Sequence, residues 1–215
     1  MTVHDDAQLI SLKVSDDFNP WCAAGFNVVE SNQGTSTTHI GEVLLRFQEE
    51  PLEQGIYAIG TKNLEGVFDG LTFFVDPGTA GRNDEQSNHP NYVSRIDHLV
   101  VTTSDCDRTT QALETAGIEA RRVRAFGKKE SKMRQTFFWL GDVILELVGP
   151  DTKSGDEPAT IWGLALISDQ IEKTVEFYGE AATQLKPAVQ PGRFITTVKT
   201  RNFGITDALA IMTPH

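Results

Sequence analysis

Cysteine is nearly missing from this chain, with two in 215 residues, Cys22 and Cys106. Two unpatterned cysteines build neither a disulfide framework nor a zinc knot, so stability has to come from an ordinary core. Positive charge is scarce too: 19 Lys and Arg stand against 30 Asp and Glu, for a net charge of −11. That balance argues against a nucleic-acid partner, whose phosphates must be met by clustered cations. The one basic cluster, Arg121-Arg122-Val123-Arg124 with Lys128-Lys129, reads as a solvated strand end and loop. No apolar run approaches the roughly 20 residues that span a bilayer. The opening Met1-Thr2-Val3-His4-Asp5-Asp6 is acidic where a secretory leader needs a basic start. A cytoplasmic protein with no membrane partner is expected. Common catalytic signatures are missing as well: there is no Gly-x-Ser-x-Gly elbow, Gly-Lys-Ser/Thr phosphate loop, His-Glu-x-x-His or dinucleotide fingerprint.

What the chain does contain is one pattern written twice. The first copy runs from Ile96-Asp97-His98-Leu99-Val100-Val101 through a helical stretch ending Ala116-Gly117 to Arg134-Gln135-Thr136-Phe137-Phe138-Trp139-Leu140 and Val143-Ile144-Leu145-Glu146-Leu147. The second runs from Ile161-Trp162-Gly163-Leu164-Ala165-Leu166-Ile167 through a helix ending Tyr178-Gly179 to Arg193-Phe194-Ile195-Thr196-Thr197-Val198 and Ala208-Leu209-Ala210-Ile211-Met212. A repeat of this length means two like units packed together. In the first copy the β-branched run reads as a buried strand, Ser104 and Asp105 offer helix-capping oxygens, and Gly117 can close the helix. Gly141-Asp142 joins two strands by a tight turn. In the second copy Asp169 and Glu172 have capping-box spacing, and Ile171, Val175 and Tyr178 share a helical face.

Residues 77–92 hold almost no apolar side chain and are rich in Gly, Asn and Ser. They are expected to form an exposed linker outside the core. The organisation is then an N-terminal region over 1–76, a linker over 77–92, and two modules over 93–150 and 159–215. The N-terminal region looks like a worn third copy. Leu9–Val14 begins it, a short helical stretch ends at Ala24-Gly25, and Gly41-Glu42-Val43-Leu44-Leu45-Arg46-Phe47 sets Arg46 where Glu146 stands. Leu71–Val75 adds one more strand.

Side chains alternate along a strand, so Ile144, Glu146 and Val148 share one face while His98 lies between Ile96 and Val100 on its own strand. A carboxylate in such a strand costs several kcal/mol unless a cation or hydrogen-bond donors meet it. An imidazole and a carboxylate on one hollow would suit a divalent metal with positions left for water or substrate. A satisfied half-buried histidine is the plainer reading of His98.

The repeat resembles the βαβββ module of the vicinal-oxygen-chelate superfamily, which includes glyoxalase I, extradiol dioxygenases, methylmalonyl-CoA epimerase and the bleomycin-resistance proteins. The resemblance implies an α+β fold of paired βαβββ modules whose curved mixed sheets form a cup, with a degenerate third module at the N-terminus. It also implies metal ligation from first and last strands, carried here by His98 and Glu146, with Glu146 as the catalytic carboxylate. The second copy departs from the pattern, placing Gly163 and Ala210 at the matching positions, so further ligands would come from residues such as His39, His89 or His215. Arg134 and Arg193 precede an apolar strand in each copy and could grip an anionic substrate. Trp139, Trp162 and Phe194 could line the cavity, and Gln135 and Gln190 could donate hydrogen bonds. Two functions follow. One is a glyoxalase-like enzyme acting on an oxygenated metabolite, with a divalent metal (Zn, Ni, Mn or Fe) in an incomplete ligand set. The other is a metal-free protein that binds or sequesters a small molecule. Exposed module edges suggest a homodimer.

Overall fold

The computed structural model describes residues 7–30, 35–48, 50, 53–78, 88–128 and 131–215. Among the described residues, fourteen strands form two mixed sheets, with three α-helices. The N-terminal strands are β1 (Leu9–Val14), β2 (Ser36–Ile40), β3 (Val43–Phe47), β4 (Ile56–Thr61), β5 (Gly66–Phe68) and β6 (Leu71–Val75), with helix α1 (Phe18–Ala23) after β1. They make a six-stranded sheet in the order β2-β3-β1-β4-β6-β5. The later strands are β7 (Val93–Thr102), β8 (Ala120–Phe126), β9 (Met133–Leu140), β10 (Val143–Pro150), β11 (Thr160–Ser168), β12 (Lys186–Pro187), β13 (Phe194–Val198) and β14 (Ala208–Met212). Helix α2 (Cys106–Thr115) follows β7 and α3 (Ile171–Tyr178) follows β11. Their sheet runs β12-β13-β14-β11-β7-β10-β9-β8.

One ladder recurs four times. A first strand pairs in parallel with a last strand, which pairs antiparallel with the strand before it: β1·β3·β2, β4·β6·β5, β7·β10·β9 and β11·β14·β13. The N-terminal region therefore carries two ladders where its sequence suggested one worn copy and a spare strand. The second of them has no helix, so the period that marks an amphipathic helix is missing from its sequence.

The chain divides into two compact, discontinuous units. The first holds Ala58–Gly78 and His98–Trp162 together with the N-terminal residues through Ile10. Here α2 packs on β9, β10 and β5. Asp105 caps it, accepting from the amides of Asp107 and Arg108, and Gly117 closes it at φ +84°. Beneath the helix lie Leu99, Val101, Phe138, Leu140, Leu145 and Leu147, all fully buried. Each is worth about 2 kcal/mol relative to exposure. Asp69, in the β5–β6 turn, accepts from Arg108 at 2.8 Å and from Thr109, which fastens that hairpin to α2.

The second unit holds Ser11–Tyr57, Gly163–His215 and the stretch ending at Asp97. Trp21 on α1 is fully buried against Phe26 and Phe47. The capping box anticipated for α3 does not form: the N-cap is Gln170, without a side-chain cap, and Ser168 Oγ accepts the Gln170 amide instead. Residues 79–87 of the anticipated linker lie outside the described residues. Its last residues depart from the exposed reading, because His89 and Asn91 are buried. Asn91 donates to Ala24 O and to the Tyr178 hydroxyl, and accepts from Thr174 through its backbone. Polar side chains anchor this segment, which apolar composition could not reveal. Among the described residues, no helix is long and apolar enough to cross a membrane.

Candidate functional site

Within the first unit, strand alternation sorts β7, β10, β9 and β8 into a face under α2 and an open face. The register arranges the open face in rows. Trp139, Ile144 and His98 form one row, and Arg122, Phe137, Glu146 and Val100 form the next. Arg124, Gln135, Val148 and Thr102 form a third. His98 and Glu146 thus share a face, one strand apart across the sheet and two residues apart along it, as strand alternation anticipated.

The Glu146 carboxylate accepts a hydrogen bond from the Gln135 carboxamide, reached diagonally across the β9–β10 pair. That donor meets part of the cost of a half-buried charge. His98 is buried, with the edge of its ring toward Phe137 at 6.4 Å between centroids. Trp139, by contrast, is 57% exposed, so an indole lies open beside these polar groups. A carboxylate, a carboxamide, an imidazole and two aromatic rings on one face can orient a small polar molecule and exchange a proton with it.

The other anticipated site residues lie elsewhere. Arg134 adjoins Gln135 and therefore points to the opposite face, where its Nη2 donates to Asp107 of α2 at 2.7 Å. Its expected role on the substrate face is corrected by this parity. Arg193 is only 3% exposed. Its Nε donates to Thr213 O at 2.8 Å, Nη1 and Nη2 reach Asp97 at 3.2 Å, and Nη1 meets His215 Nε2 at 3.0 Å. Four hydrogen bonds from this guanidinium stay within the chain, and the side chain is closed to solvent. The two arginines are not register equivalents either. Gln135 lies opposite Val148 and Ile195 opposite Met212, so the counterpart of Arg134 is Phe194. Phe194 is half-exposed beside Pro187, and Trp162 is half-exposed at the end of the first unit. Of the anticipated residues, the structure brings His98, Glu146, Gln135 and Trp139 together.

Three residues of the face were not singled out as site residues from sequence. Phe137 was hidden in an aromatic run. Arg122 and Arg124 lie on a solvated edge strand, as read, and alternate onto the open face. A register shift between Ala120 and Arg122 conceals that parity in the sequence.

No protein-family model matches the chain, and no curated protein sequence matches it. Solved structures do. A triple mutant of 4-hydroxymandelate synthase from Streptomyces coelicolor superposes with a TM-score of 0.70 at 11% identity, over 98% of this chain and 93% of that one. A xylose isomerase-like TIM barrel/4-hydroxyphenylpyruvate dioxygenase fusion protein superposes at 0.65 with 12% identity, over 97% of this chain and 48% of the fusion. This chain has the vicinal-oxygen-chelate fold. At such identities the likeness is one of fold, and the chemistry must be read from the residues present.

The vicinal-oxygen-chelate fold implies a metal held from first and last strands, and the described residues do not fit one. A catalytic metal site ordinarily has three protein ligands. Among the described residues, no three of His, Cys, Asp or Glu stand together as a metal site would need. The counterparts of His98 and Glu146 in the β11·β14 ladder are Gly163 and Ala210. A Cβ on Gly163 would lie 2.0 Å from Ala208 O, so no ligand side chain can occupy that position. Of the candidate replacements, His89 accepts the Asn27 amide at Nδ1 and donates from Nε2 to His39 O at 2.8 Å, so both ring nitrogens are used. Burial lowers its pKa below the ordinary histidine value, against the opposing hydrogen bond to His39. His215 is held against Arg193.

Proposed function

We propose that the open face of β7, β10, β9 and β8 is a small-molecule site, and that the protein is a glyoxalase-like enzyme acting there on an oxygenated metabolite without a resident metal. The observation that carries this reading is the Gln135–Glu146 hydrogen bond beside His98, under the open Trp139 and Phe137 rings. Gln135 fixes one carboxylate oxygen of Glu146, and the other can take a proton or accept a hydrogen bond from a substrate hydroxyl. The aromatic rings hold the substrate body and exclude water from one side.

Proton NMR in D2O over a panel of small hydroxy and oxo acids tests this, with chelator present throughout. Loss of a carbon-bound proton signal at a rate set by the protein is expected, together with its abolition in Glu146→Gln. Binding without exchange, detected as an emission change that disappears in Trp139→Phe, would instead establish a sequestering protein. A second reading, a metal-dependent enzyme, draws support from the shared face of His98 and Glu146. Stoichiometric divalent metal in protein purified without chelator, lost in Glu146→Ala, would favour it over the first.

A further inference from the structure

We infer that the ligand of this face is an organic anion, its negative group held between Arg122 and Arg124 on β8. The inference rests on the small-molecule site proposed above and names the class of ligand it takes.

The two arginines stand opposite Phe137 and Gln135 in consecutive rows of the open face. They are two residues apart on one strand, hence about 6.6 Å apart along it. Two cations on this solvated strand repel only weakly, and an anion placed between them is attracted to both. Carboxylates are plentiful in this chain, 30 against 19 bases. Four other arginines each have one: Arg108 has Asp69, Arg121 has Glu119, Arg134 has Asp107 and Arg193 has Asp97. Among the described residues, Arg122 and Arg124 make no ion pair. Arg121, their neighbour at the register shift, pairs with Glu119.

A pair of guanidinium forks at this spacing suits the two or three oxygens of a carboxylate, sulfonate or phosphate. Glu146 lies in the Arg122 row with Phe137 between, two strand spacings away at about 9.6 Å. A flat apolar body can therefore rest on Phe137 with its anion toward β8 and its other end toward Glu146. The repulsion between that carboxylate and the ligand's anion fixes the direction of binding. Arg134, paired with Asp107 on the helix side of the sheet, does not contribute to this grip.

Two fluorescent probes separate the outcomes: 8-anilinonaphthalene-1-sulfonate and N-phenyl-1-naphthylamine, the same rings with and without the anion. Binding is read by energy transfer that disappears in Trp139→Phe. The protein should prefer the sulfonate by about tenfold at low salt, and the preference should shrink at high salt because the site is partly solvated. Arg122→Gln/Arg124→Gln should abolish the preference while leaving neutral-probe binding and the thermal midpoint unchanged. Arg121→Gln should keep it. A sulfonate preference that survives the double substitution, or equal binding of the two probes to the wild type, overturns the inference and leaves the site standing. Failure of both probes to show Trp139-dependent transfer removes the site and the inference together.

Discussion

Gly163 lies so close to Ala208 that a Cβ on it would stand 2.0 Å from the Ala208 carbonyl oxygen and 2.7 Å from its amide nitrogen. The two residues are direct partners across the parallel β11–β14 pair, and Gly163 has φ +155°. The ladder position that in β7 bears His98 is filled here by backbone. Gly163→His should therefore fail to rebuild a metal site and should cost about 3 kcal/mol or more in stability. Denaturant midpoints and metal analysis check both halves. A folded Gly163→His protein with stoichiometric metal would refute this account.

The Arg193–Asp97 pair is buried on both sides, so removing one partner strands a charge. Arg193→Ala should destabilise by about 3–5 kcal/mol, with little dependence on salt. Pairing it with Asp97→Asn should cost less than the sum of the two single changes. Urea unfolding of the four proteins of the cycle measures this directly, and strict additivity would contradict it.

Arg134 makes the opposite case. Its partner Asp107 is largely exposed, and the pair sits on the helix side of the sheet. Arg134→Ala should cost about 1 kcal/mol and leave ligand affinity as it was. A large loss of affinity at unchanged stability would return Arg134 to the binding face.

Asp207 should make stability depend on pH. Both carboxylate oxygens face the Ile56 amide at 3.1 Å. Burial pushes the carboxyl up to about 7, with the Asp16 charge adding to the rise and the Ile56 amide opposing it. In the unfolded chain the group titrates near 3.9, as an ordinary aspartate does, to order of magnitude about 4. Between about pH 4 and 7 the folded state keeps a proton that the unfolded chain releases. This contribution is complete below about pH 4 and is lost as pH rises through 7. Asp207→Asn should flatten that decline and stabilise the protein at pH 8 by roughly 2–4 kcal/mol. Parallel curves of thermal midpoint against pH for wild type and variant would disprove it.

Several elements were legible because their causes are local. Strand β6, the Asp105 cap, the Gly117 helix end and the Gly141 turn at φ +72° follow from side-chain branching, capping oxygens and a backbone conformation glycine adopts freely. The sequence marked helix α3 and its end at Tyr178 but misjudged its start, where Ser168 Oγ accepts the Gln170 amide and no Asp169 cap forms. It was a poor guide to residues 88–92 as well, since Asn91 is held by hydrogen bonds to residues 67 and 87 positions away.

The chain alone determined which residues share a face with His98 along β7 and with Glu146 along β10, because strand alternation has period two. That the two faces are one follows from the parallel β7–β10 register, which only the packed sheet sets. It also determined that the second copy lacks their counterparts. Only tertiary structure decided what those side chains meet. Gln135 reaches Glu146 because β9 lies beside β10 in that register, and Arg134 leaves the site because it is one residue out of phase. Arg193 is consumed by Asp97, 96 residues earlier, by a contact that no local pattern encodes. Local alternation and turn chemistry act over a few residues, whereas burial and charge pairing are settled only when distant segments pack.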